Sequence, residues 1–286
     1  MNNFIVRTIT AIFFVAAIVC SFLRPEAMVL LFALVTGLTI WEFTGLVNLR
    51  EGVTVNRMIC TVAGVYFFLA MAGYSSELTP SAVFIPYLVT LIYLMVEELY
   101  LKHKDPINNW AYTMMTQLYI ALPFSTISVL AFNGGTDRNI HYNMLLPLSV
   151  FIFLWVSDTG AYCCGSLLGK HKLFPRVSPG KSWEGSIGGG IFVIIAAIII
   201  GLYDQSTAIA PATTGLLSLW QWIGLGIVVC VFGTWGDLVE SLFKRTIDIK
   251  DSGNILPGHG GMLDRFDSSL MAFPASVVYI YSLSLL

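Results

Sequence analysis

Between Gly236 and Ser268 the chain carries six carboxylates (Asp237, Glu240, Asp248, Asp251, Asp264, Asp267) and four cations (Lys244, Arg245, Lys250, Arg265), although only 11% of its residues are charged. Aspartate oxygens suit a hard ion such as Mg²⁺, which keeps several waters and shares substrate phosphates. Lysine and arginine complement phosphate oxygens. The pattern of the first third is helical, so Asp237, Ser241 and Lys244 or Arg245 share one face. Asp264 and Asp267, three apart, are expected on one side of the next helix start. The loop between, DSGNILPGHGG, contains Gly253, Gly258, Gly260 and Gly261, each able to take positive φ and aim an N–H at a ligand. Acids for a metal, cations for phosphate and a glycine loop together describe phosphoryl or nucleotidyl transfer. The plainer alternative is a solvated charged loop between two membrane helices.

A second polar stretch covers 157–186, SDTGAYCCGSLLGKHKLFPRVSPGKSWEGS. Asp158 lies in an apolar run, followed by Tyr162, Gly165 and Gly169, then Lys170, Lys172, Arg176 and Lys181. These cations could hold phosphate or anionic headgroups. Gly180-Lys181-Ser182 imitates the end of a nucleotide-binding P-loop, but Pro175 stands where its first glycine belongs and no strand precedes it.

Taken together the two stretches resemble the phosphatidate cytidylyltransferase (CDP-diacylglycerol synthase) family. Its signature of Ser, two residues, Lys-Arg, four residues, Lys-Asp, a glycine turn, His-Gly-Gly, two residues, Asp-Arg, one residue and Asp is matched without insertion. The matching residues are Ser241, Lys244-Arg245, Lys250-Asp251, Gly253, His259-Gly260-Gly261, Asp264-Arg265 and Asp267. An upstream block is matched by Asp158, Ala161-Tyr162, Gly165, Gly169-Lys170, Ser178-Pro179, Lys181 and Glu184-Gly185, with Gly180 and Ser182 where Lys and Thr are more usual. The resemblance implies that CTP and phosphatidate give CDP-diacylglycerol and pyrophosphate in phospholipid biosynthesis. It assigns metal ligation to Asp237 and Asp264, with Ser241 and Asp267 beside the metal and room for a second ion of unspecified identity. Lys244, Arg245 and Lys250 are expected on the triphosphate or the lipid phosphate. Asp158, Lys170, Ser178, Lys181, His259, Gly260, Gly261 and Arg265 complete the expected substrate contacts. For His259, phosphate contact and a role in holding the loop stay equally open. The resemblance also suggests a homodimer.

The elements that must carry these residues are membrane helices. With 286 residues, 56% of them hydrophobic, and a mean hydropathy of +0.78, the chain reads as an all-α polytopic membrane protein. Nine apolar runs approach the ~20 residues a span requires: about 8–23, 26–46, 58–75, 82–100, 110–132, 142–164, 184–203, 216–238 and 268–286. Lys and Arg divide 13 to 2 between the alternate sides. The positive-inside rule then sets the N-terminus in the cytoplasm and the C-terminus outside. About five helices fill 1–140, and a catalytic region, 141–286, presents two cytoplasmic loops, 165–183 and 239–267. A bacterial inner membrane with a cytoplasmic site is the expected location. The loop 133–141 is expected outside, with no chemistry. Five cysteines without metal spacing read as small core residues.

A net charge of −2 argues against nucleic-acid binding. Glu42, near the inner end of the second run, is a site residue if paired, or a carboxylate snorkelling to the headgroups. Three rivals remain. An ion-coupled transporter would spread its acids through the membrane depth, whereas these cluster near one face. A CDP-alcohol phosphotransferase would need a DGxxAR pattern, which is absent. An inactive relative would have no use for the retained acids.

Overall fold

In a bilayer core a backbone can satisfy its hydrogen bonds only within helices or closed barrels, and the apolar runs of this chain form helices. The computed structural model describes residues 3–134, 140–207, 216–253, 255 and 260–283. In order these are α1 (Asn3–Ser21), α2 (Pro25–Val47), α3 (Arg57–Ser75), α4 (Ile85–Leu101), α5 (Pro106–Thr116), α6 (Leu122–Ala131), α7 (Leu145–Leu168), α8 (Trp183–Thr207), α9 (Leu219–Thr246), α10 (Leu263–Phe266) and α11 (Ser269–Leu283). Local signals set several starts. Pro25 opens α2, Asn56 caps α3 by accepting from Ile59 N at 3.2 Å, and Asp105 caps α5 by accepting from Asn108 N at 3.1 Å.

Seven helical segments among the described residues are long and apolar enough to cross a membrane: Pro25–Val47, Arg57–Ser75, Ser81–Leu101, Pro106–Ala131, Leu145–Leu168, Trp183–Ser206 and Leu219–Thr246. The chain is an all-α, multi-pass membrane protein. The first and last of the nine expected spans are helices too, but shorter. The apolar part of α1 covers Thr8–Ser21, and α11 shows 15 residues before the described chain ends.

Two antiparallel ribbons interrupt the helices, β1 (Phe132–Gly134) with β2 (Ile140–Tyr142) and β3 (Lys172–Phe174) with β4 (Ser178–Ser182). The expected external loop 133–141 falls partly outside the described residues. The cysteines divide differently from the sequence expectation: Cys60 and Cys230 are buried, whereas Cys20 and Cys163 are exposed on their apolar helices.

The chain forms two compact units, 1–145 with 243–266, and 146–242 with 267–286. In the first, α2 packs along α3, and a π-helical turn (Gln117–Ala121) joins α5 to α6. Gln117 Nε2 there donates to Cys60 O at 3.0 Å, which satisfies a buried amide. Phe266 of α10 is a hub, with Phe14, Phe32 and Phe124 rings 5.4, 6.3 and 5.4 Å away. Phe243 stacks on Phe43 at 4.8 Å. Aromatic packing therefore anchors both ends of the 243–266 segment on helices of the first unit.

In the second unit, glycines bring helices together. A Cβ on Gly189 would lie 2.7 Å from Ser157 O, and one on Gly185 2.9 Å from Ala161 O. Only glycine permits so close an approach of α8 to α7, the usual use of small residues in lipid. Gly236 of α9 plays the same part against the backbone of 267–268, where a Cβ would meet Asp267 O at 2.6 Å.

Candidate active site

In the second unit α9 is helical through both Asp237 and Ser241, and Ser241 Oγ donates to Asp237 Oδ1 at 3.1 Å. Lys181, delivered by β4, reaches the other oxygen, with Nζ 2.6 Å from Asp237 Oδ2. The hairpin is tied down by Glu184, whose carboxylate accepts from the N–H groups of Lys170 and His171 at 3.2 Å and meets His171 Nδ1 at 2.6 Å. Glu184 belongs to the quoted upstream pattern, but the sequence does not reveal this tie. Ser178 starts β4 half-buried, and Lys170 is exposed.

Beside Lys181 lies a cavity of about 370 Å³, lined chiefly by Asp158, Tyr162, Lys181 and the hydroxyls of Ser157, Ser182 and Thr234. One cation, one carboxylate and several hydroxyls on small-residue walls can take a polar anionic group.

Asp267 corrects one expectation. It does not share a helix face with Asp264, because α10 ends at Phe266 and Asp267 begins the turn into α11. Desolvation of its partly buried carboxyl, reinforced by the negative charges of Asp237 and Asp158, pushes it up to about 7 despite Lys181. Three carboxylates with one lysine form an arrangement that a bound cation would relieve.

In the first unit Asp264 is held on every side. Lys244 Nζ donates to Oδ1 at 2.7 Å, while Ser252 N and Gly261 N each donate to Oδ2 at 2.9 Å. Burial alone would raise this carboxyl. The lysine and the two N–H groups outweigh it and hold the group below its usual 3.8. Arg245 Nη1 donates to Ile249 O at 3.3 Å, and Lys250 and Arg265 are exposed. His259 lies outside the described residues, as do Asn254 and 256–258.

The glycine loop works differently from the expectation. Among its described glycines only Gly260 has positive φ, +84°. Gly253 and Gly261 are required by close approach. A Cβ on Gly253 would sit 2.7 Å from Glu42 Oε2, and one on Gly261 would come within 3.0 Å of both Glu42 Oε1 and Ser252 Oγ.

Glu42 is the residue the sequence left undecided. It does not snorkel: it is 8% exposed and accepts from Met262 N at 2.9 Å, Leu263 N at 3.1 Å and Ser252 Oγ.

Among the described residues no three His, Cys, Asp or Glu side chains converge to hold an ion unaided. Mg²⁺ does not need them, since it commonly takes one or two carboxylates and completes its shell with waters and phosphates. The neighbouring negative charges of Asp237 and Asp267 fit such a cation.

A model of the cytidylyltransferase family matches residues 5–283. This chain belongs to the cytidylyltransferase family. It is 34% identical over 284 residues to a phosphatidate cytidylyltransferase of Haemophilus influenzae, covering 94% of this chain and 95% of the relative. A protein of the same name from Staphylococcus haemolyticus is 33% identical over 275 residues, and one from Staphylococcus aureus 31% over 270. Each of these alignments covers 94% of this chain and 96% of the relative. The family is one of nucleotidyl-transferring enzymes, so the acids and cations above belong to a chain of catalytic lineage.

Proposed function

We propose that the chain is a phosphatidate cytidylyltransferase. A non-bridging oxygen of the lipid phosphate attacks the α-phosphorus of CTP, the bond from that phosphorus to the oxygen bridging to the β-phosphate breaks, and pyrophosphate leaves. CDP-diacylglycerol is the product. The observation that carries the reading is the near full-length match to relatives of that name, with both polar segments intact.

A phosphate monoester loses its second proton near pH ~6, so the nucleophile is already largely dianionic at neutral pH. The difficulty is bringing two anions together, which positive charge and fixed geometry overcome. Lys181 and the hydroxyls of its cavity are suited to hold phosphate, and Lys170, just before the same hairpin, is exposed. Lys244, Arg245, Lys250 and Arg265 of the downstream motif are the further cations we assign to phosphate oxygens, with Gly260 and Gly261 of the same motif. His259 belongs to the same motif, with phosphate contact and loop support both open.

Asp237 and Asp264 are the ligands we assign to Mg²⁺, assisted by Ser241 and Asp267. When bound, Mg²⁺ neutralises phosphate charge and orients the transfer. In this reading nine spans set the N-terminus in the cytoplasm and the C-terminus outside, with the site at the cytoplasmic face of a bacterial inner membrane. The 13 to 2 division of Lys and Arg supports that orientation. The helices within 1–140 and the catalytic region 141–286 then cooperate, as a homodimer in the membrane.

The deciding experiment supplies CTP labelled at the α-phosphate to purified protein in phosphatidate liposomes, with and without Mg²⁺. Mg²⁺-dependent label in lipid, with pyrophosphate released, is the expected result. Folded protein that labels no lipid overturns the reading.

A further inference from the structure

We infer that Glu42 of α2 is a positioning residue that holds the Asp264 carboxylate in its working place. This rests on the metal-ligand role proposed above for Asp264. The argument starts from burial. A carboxylate removed from water demands donors, and Glu42 finds three. Oε1 accepts from Ser252 Oγ and from Leu263 N at 3.1 Å, and Oε2 accepts from Met262 N at 2.9 Å.

One of those residues, Ser252, also holds Asp264. Ser252 turns its hydroxyl to Glu42 and its backbone N–H to Asp264 Oδ2, while its Oγ accepts from Asp264 N at 3.3 Å. Gly261 N–H closes the set on Asp264 Oδ2. Glu42, Ser252 and Asp264 are therefore linked in one hydrogen-bonded network, which the backbone N–H groups of Gly261, Met262 and Leu263 complete, and every member except Glu42 comes from the segment 252–264. Glu42 is thus the outside reference against which the loop sets its shape. The glycines agree, since any side chain at Gly253 or Gly261 would collide with the Glu42 carboxylate.

Glu42 touches neither substrate nor metal in this scheme. Its effect passes through the backbone of 261–264, so its loss should weaken metal use and turnover more than nucleotide binding. Glu42→Gln preserves shape but turns an NH₂ group toward a backbone N–H or the Ser252 hydroxyl. Three readouts apply: steady-state kinetics across Mg²⁺ concentrations, Mn²⁺ binding to substrate-free protein by electron paramagnetic resonance, and amide exchange of the peptide covering 260–266.

The expected result is a protein that still folds, with kcat down at least tenfold and half-saturating metal up at least fivefold. KM for CTP should stay within threefold, and exchange should accelerate at 260–266 but not in α3. Ser252→Ala should cause part of the same loss, and the double variant should fall short of the product of the two. Unchanged exchange at 260–266 with unchanged metal dependence overturns the inference. Independent, multiplicative effects of Glu42→Gln and Ser252→Ala overturn it equally. Glu42→Asp, shorter by one carbon, should restore part of the metal affinity if loss of the carboxylate is the cause. Should wild-type protein form no CDP-lipid, the proposed function fails, while exchange and Mn²⁺ binding still decide the role of Glu42.

Discussion

Replacing Gly261 by Ala tests the hydrogen-bonded network around Asp264 with a single methyl group. The added Cβ would lie within 3.0 Å of both Glu42 Oε1 and Ser252 Oγ. Neither neighbour is a free side-chain end, since Ser252 is 3% exposed and Glu42 is held by three donors. Relief requires either the loop or the α2 carboxylate to withdraw. Overpacking of this kind costs ~1–3 kcal/mol, and each hydrogen bond lost with it adds about 1 kcal/mol. With one or two bonds broken, the penalty is roughly 2–5 kcal/mol, borne by the loop that carries Asp264.

Since each ~1.4 kcal/mol is tenfold in rate, activity should fall at least about thirtyfold. Thermal unfolding in detergent should shift far less, because the loop can yield while the helices stay packed. Gly52→Ala is the control. Gly52 has positive φ, +82°, and nothing lies within 4 Å of a Cβ added there. That change costs only about 1 kcal/mol of backbone strain and leaves turnover unchanged. Wild-type turnover in Gly261→Ala would refute the packing argument.

Three further outcomes are expected. A carboxyl raised from 3.8 to about 7 in the folded state favours folding least at high pH, its stabilisation fading as pH climbs from about 4 through about 7. Asp267→Asn should accordingly stabilise metal-free protein at pH 8 relative to pH 5 by roughly 2–4 kcal/mol while lowering activity, and a pH-independent difference in unfolding would contradict this. Gly180 has open space around it beside the cavity, so Gly180→Lys should fit and lower KM for CTP two- to fivefold at low salt, with the gain vanishing at high salt. An unaltered KM at low salt counts against phosphate binding there. Cysteines placed at exposed Ser218 and exposed Glu51, read against the native cysteines, should react with an impermeant external reagent only at Ser218; labelling at Glu51 instead inverts the proposed topology.

Residue type and local spacing made much of this protein legible. Apolar runs named the helices, because a bilayer leaves the backbone no other partner. Four residues of helix placed Ser241 on Asp237. The pattern of acids, cations and glycines identified the chemistry, since nucleotidyl transfer needs those groups whatever surrounds them. Spacing failed where the chain stopped being periodic. Asp264 and Asp267, three apart, were expected side by side, but the helix between them ends after one turn and their carboxylates meet different partners.

Tertiary structure alone joined Lys181 to Asp237, Lys244 to Asp264, and Glu42 to a loop 210 to 221 residues further along. It also gave the N-terminal helices a part, since Phe14, Phe32 and Phe124 hold Phe266 while Glu42 holds the turn before it. A buried carboxylate requires donors at about 3 Å and does not specify which stretch of chain supplies them. Sequence can therefore show that Glu42 must be satisfied, and only the folded chain shows what satisfies it.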